Sequence, residues 1–148
     1  EPQAPPFKAC YLLVLGLQRF RMLRQDDDYS YSSSGEERVA SPAQCFADVL
    51  SDGPSEGIHS IVWCDTLGNL NRTFNRKTLR EFEMRVLFQM SASDSSELID
   101  TPAANRLGLY NALLFTGQDG AVEKFRPYAT PEAELVQEIA RDLRNRQS

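Results

Sequence analysis

With 148 residues the chain is the size of one domain built around one core. A composition of 41% hydrophobic and 25% charged residues excludes wholesale disorder and fibrous structure, and a net charge of −5 excludes holding nucleic acid by a large positive field, so any DNA contact must be local. The longest apolar run, Tyr11 to Leu15, is far short of the ~20 residues that span a bilayer, and no signal segment opens the chain, which predicts a cytoplasmic segment without membrane insertion.

Residues 1–8 begin Glu-Pro-Gln-Ala-Pro-Pro and read as a tail or linker, because proline offers no amide to a sheet. Tyr11 to Leu15, closed by Gly16, has the continuous apolar character of a strand buried on both faces. Leu17 to Arg24 reads as a short basic helix with Arg19, Arg21 and Arg24, and residues 25–41, almost free of aliphatic side chains, read as a flexible loop. Ser41-Pro42 is an N-cap followed by a proline at the first helical position, opening a helix whose apolar face is Phe46, Val49 and Leu50.

Gly57 to Asp65 is a second apolar strand, Arg76 to Phe82 a short helix, and Met84 to Met90 a third strand. Ser91 to Ile99 carries the caps and acids of a helix, and Thr101-Pro102 starts another that stops near Gly108. Asn111 to Thr116 and Ala121 to Tyr128 flank Gly117-Gln-Asp-Gly120 and predict an antiparallel hairpin. Pro131 then opens a helix whose Leu135, Val136, Ile139, Ala140 and Leu143 predict a face turned into the core. Strands separated by helices predict an α/β fold with a mainly parallel sheet flanked by helices and the hairpin at one edge.

Cys10, Cys45 and Cys64 fit neither a disulfide framework nor paired zinc knuckles and read as reduced, mostly buried thiols. One His and no ligand spacing predict no metal site. No acid, base and nucleophile set can be assembled, so no catalytic residue is assigned, and His59 reads as structural. Trp63 and Phe88, inside apolar strands, read as core. Asp94 and Asp100, with Ser91, Ser95 and Ser96, read as helix caps rather than a cation site. Arg72, Arg76, Lys77 and Arg80, with Asn69 and Asn71, form a basic cluster that suits either solvent or an acidic partner or nucleic-acid backbone.

Four stretches resemble, in order, the second half of the motor domain in the FtsK/SpoIIIE family of DNA-pumping ATPases: Tyr11 to Leu15; Gly57-Ile-His59 with the strand after it; Arg85-Val-Leu-Phe-Gln-Met-Ser91 with Asp94-Ser95 and Ile99-Asp100; and Ala104 to Leu114 with Leu107-Gly108. The resemblance implies a partial RecA-like domain over residues 9–148. It also implies ATP and Mg²⁺ in a complete motor, roles in DNA translocation and cell division, and a homo-oligomeric parent protein. Partners would be the rest of the motor domain or neighbouring subunits, with DNA or protein as cargo. A degenerate domain binding a peptide or protein in a secretion-type motor is the alternative.

The departures from the family are specific. No G-x-x-x-x-G-K-[ST] phosphate cradle occurs in the sequence. Gly16-Leu17 stands where the family has the Asp-Glu that manages metal and water, and Cys64-Asp65-Thr66 stands where it has a γ-phosphate sensor, so Asp65 and Thr66 mark a degenerate sensor position. The isolated chain is therefore expected to be inactive. By resemblance Arg85 is a candidate trans-acting arginine, against a plain ion pair with Glu81 or Glu83. In the family the strand before the phosphate cradle lies between the counterparts of Ile58 to Cys64 and Arg85 to Met90. This chain lacks it, and either the two strands pair directly or another segment or chain fills the gap.

Overall fold

The computed structural model describes residues 9–24 and 40–146, in two compact units, 1–83 and 84–148. The predicted tail and nearly all of the predicted loop lie outside the described residues. In the first unit β1 (Cys10–Leu15) and β2 (Ile58–Trp63) run parallel, in register from Cys10 opposite Ile58 to Leu15 opposite Trp63. Parallel neighbours need a crossover. Here it contains two 3-10 turns, Leu17–Arg19 and Arg21–Leu23, then helix α1 (Pro42–Asp52) and a further 3-10 turn, Gly53–Glu56. The predicted basic helix is thus two tight turns broken at Phe20, whose ψ of 76° leaves the helical region. Ser41 caps α1 as its sequence predicts, its hydroxyl accepting from the Gln44 amide at 3.2 Å.

Strand alternation divides the β1–β2 pair into two unlike faces. Val14 and Val62 point to the helices, joining a core of Leu17, Phe46, Leu50 and Phe74. Helix α2 (Leu67–Thr73) and helix α3 (Arg76–Arg80) close that core through Leu70 and Leu79. The Phe74 ring lies 5.8 Å from Phe46 and 5.3 Å from Phe82. On the opposite face Tyr11, Leu13, Leu15, Ile61 and Trp63 are all exposed. Burial of β1 on both faces and of Trp63 in a core is therefore corrected: among the described residues only one face of this sheet is covered. The expectation of mostly buried thiols is likewise corrected: Cys10, the first residue of β1, and Cys45, on α1, are exposed, and Cys64 is only half-buried.

The second unit is an antiparallel sheet in the order β3 (Met84–Leu87), β4 (Ala112–Thr116), β5 (Ala121–Phe125). The α/β class and the β4–β5 hairpin are both as expected, and the antiparallel ladder extends further, to β3, with Leu87 opposite Leu113. Helix α4 (Ala92–Ile99) and a 3-10 turn, Pro102–Arg106, cover one face, burying Leu87, Ile99, Ala104, Leu107 and Leu113. The segment after Thr101 makes a 3-10 turn where an α-helix was expected. The strand ends at Leu87, three residues early, and Phe88 is 53% exposed, so it is not core.

Helix α5 (Ala133–Arg146) also departs from expectation, since no residue in it is buried. Among the described residues β2 is paired along one edge, by β1, and β3 along one edge, by β4.

Candidate functional site at the carboxyl end of the parallel pair

In open parallel sheets ligands gather beyond the carboxyl ends of the strands. At that end of β1 the chain turns at Gly16, whose φ of 81° lies in the left-handed region that glycine enters without a steric penalty. Its amide donates to the Trp63 carbonyl at 3.1 Å, tying the turn to the end of β2. A Cβ at this position would meet Arg19 Cδ at 3.4 Å and the Trp63 ring at 3.6 Å. Leu17, next in sequence, is 1% exposed and fills the core beside Phe46 and Phe74. The two positions that carry carboxylates in the resembled family thus serve here as a backbone turn and a packing residue.

At the end of β2, Thr66 caps α2, its hydroxyl accepting from the Asn69 amide at 3.2 Å. Asn69 Nδ2 donates to Asp65 Oδ1 at 2.9 Å, and Arg72 Nη1 donates to Asn69 Oδ1 at 3.3 Å. The Asn69 amide holds the Asp65 carboxyl below the usual carboxylate range by bonding its charged form. Burial, first among several influences, pushes the Cys64 thiol above its ordinary value. Asp65 and Thr66 are thus members of one capping network that also engages Arg72.

Sequence reasoning missed α2 itself. Leu67, Leu70 and Phe74 at helical spacing after a Thr cap were the available signal, masked by Gly68 and two asparagines. Arg76, Lys77 and Arg80 lie exposed on α3, behind the Asn75 cap that accepts from the Thr78 amide at 2.9 Å.

Arg85 belongs to the second unit. Its guanidinium donates to the Leu98 carbonyl and sits 5.3 Å over the Phe115 ring, so it braces β3 against α4 and β4. Burial lowers its pKa, and Asp100 opposes that shift. Ser95, fully buried, does similar bracing: its hydroxyl donates to the Thr101 carbonyl at 2.6 Å and accepts from the Ala104 amide at 3.1 Å. Ser91 caps α4 and Asp100 ends it with a φ of 56°, in keeping with a capping role for this acidic segment.

Among the described residues no three His, Cys, Asp or Glu side chains gather as a metal cluster would need. Among the described residues at the carboxyl end there is no phosphate cradle of the G-x-x-x-x-G-K-[ST] kind, and the Asp65 carboxylate is engaged by Asn69, so these residues do not suit a nucleotide and its metal by themselves. Among the described residues no helix is long and apolar enough to cross a membrane.

The fold is a mixed α/β one, a parallel two-stranded sheet and an antiparallel three-stranded sheet with helices, consistent with a partial RecA-like domain. It is similar to the genome packaging NTPase B204 from Sulfolobus turreted icosahedral virus 2 in complex with AMPPCP, with a TM-score of 0.51 and 11% sequence identity, covering 81% of this chain. The chain spans 53% of the length of that NTPase. No family model and no curated protein matches the sequence.

Proposed function

We propose that the chain is a non-hydrolysing portion of an FtsK/SpoIIIE-like ATPase that translocates DNA or protein, acting through contacts with the rest of the motor domain or with neighbouring subunits. The observation that carries this reading is the fold likeness over 81% of the chain to a genome packaging NTPase, of which it spans about half. The absent phosphate cradle, the turn at Gly16 and the buried Leu17 support a division of labour in which ATP and Mg²⁺ are held elsewhere in a homo-oligomeric motor. On this reading Arg72, Arg76, Lys77 and Arg80 meet the acidic surface of a partner or the backbone of the cargo, as exposed cations suit phosphate or carboxylate. Arg85 acts by keeping β3 in place at a subunit contact.

The test is ATP turnover by the complete assembly, recovered through a tag on this chain, beside turnover by the 148-residue chain alone. The assembly should hydrolyse ATP, faster with duplex DNA when DNA is the cargo, and the chain alone should not. Turnover by the isolated chain, or an inert assembly, overturns the proposal.

The exposed apolar face of the β1–β2 pair favours a second reading, in which a degenerate ATPase domain of a secretion-type motor binds an extended polypeptide. Saturable binding of unfolded polypeptide, lost in Leu13→Asp, with no turnover in any assembly would favour it over the first.

A further inference from the structure

Leu135, Val136, Ile139 and Leu143 are each about half exposed and stand on one stripe of α5 at the spacing of i, i+1, i+4 and i+8. A helix of 14 residues, about 21 Å long, is marginal in water without a partner for such a stripe. Glu132 immediately precedes the helix, and its carbonyl accepts from the Val136 amide at 3.2 Å. At 100° per residue Glu132 continues the N-terminal end of the stripe and Arg146 its C-terminal end. The stripe therefore carries an acid at one end, aliphatic side chains in the middle and a base at the other end.

We propose that α5 is a self-association surface on which two copies of this chain pair antiparallel, centred on Ile139. In that register Ile139 meets Ile139, Leu135 of one copy faces Leu143 of the other, and Glu132 faces Arg146 twice. A parallel pair sets Glu132 against Glu132 and Arg146 against Arg146, so the end charges select the antiparallel arrangement. The helix dipoles oppose and favour the same arrangement. Two helices of this length bury less than the ~1,200 Å² of a lasting interface, so the pair is reversible and concentration-dependent. This inference does not depend on the motor reading.

Sedimentation equilibrium of the 148-residue chain from roughly 5 µM to 1 mM, a range spanning weak interfaces, tests it. A monomer–dimer equilibrium is expected, abolished by Ile139→Asp. Glu132→Arg alone and Arg146→Glu alone should each weaken it about tenfold, and the double exchange E132R/R146E should return it to within about threefold of the native chain, because only an antiparallel pair restores both contacts. Circular dichroism of each variant establishes that it is folded. A chain that stays monomeric at 1 mM, a dimer that survives Ile139→Asp, or a double exchange no better than either single change overturns the proposal.

Discussion

The Gly16 amide donates to the Trp63 carbonyl at 3.1 Å, and this bond closes the carboxyl ends of β1 and β2 over the buried side chain of Leu17. The positions at which the resembled family carries carboxylates are thereby committed to the fold. Gly16→Asp should cost about 1–2 kcal/mol because of the left-handed φ, and Leu17→Glu several kcal/mol because it buries a charge in an aliphatic core. Thermal denaturation checks both. Gly16→Asp should gain no ATPase activity, since no phosphate cradle accompanies it.

Arg85 is a brace within its own unit. Arg85→Ala should lower stability by about 1–3 kcal/mol by orphaning the Leu98 carbonyl and losing the stack on Phe115. Arg85→Met, which keeps the stem, should lose less. Urea midpoints of the two variants measure the difference, and equal midpoints would contradict the bracing role.

Ser95 joins α4 to the turn at Thr101 and Ala104 through two hydrogen bonds. Ser95→Ala leaves a buried amide and a carbonyl unpaired, an expected cost of about 1–3 kcal/mol. Ser60 is the converse case, since its hydroxyl is buried with no partner among the described residues. Ser60→Ala should be neutral or slightly stabilising, within about 1 kcal/mol. Denaturation curves of the two alanine variants should therefore shift in different directions or by clearly different amounts.

Asp65 titrates below the usual carboxylate value because Asn69 bonds its charged form. The folded state thus binds this proton less readily than the unfolded chain, so the associated stability is complete above about pH 4 and fades as the pH falls below it. Carboxyl-carbon NMR shifts should show Asn69→Ala raising the Asp65 midpoint toward its ordinary value.

The thiols should separate by reactivity. Cys10 and Cys45 are exposed, whereas burial raises the Cys64 pKa and lowers its thiolate fraction at neutral pH. Reaction with a chromogenic disulfide should show two fast thiols and one slow thiol, merging into one phase in denaturant.

The elements whose local chemistry is self-sufficient were legible in the sequence. Ser41-Pro42 opens α1, Ser91 caps α4 and Gly117-Gln-Asp-Gly120 turns the β4–β5 hairpin, because a cap or a turn is satisfied by atoms only a few residues away. The 3-10 turns after Gly16 and the helix at Leu67 were not, since their short apolar periods match more than one element. At the candidate site, the residue types at Gly16, Leu17, Asp65 and Thr66 were readable. Their engagement in a turn, a core and a capping network was not.

By itself the sequence determined the absence of a phosphate cradle, the α/β class and the placement of most caps, all set by residue identity and near-neighbour chemistry. Only the tertiary structure decided which apolar runs are covered. Leu13, Trp63, Phe88 and Ile139 are as hydrophobic as Leu17 and Leu87, yet they stand exposed, because burial depends on which element packs opposite and strand or helix periodicity cannot say whether one does.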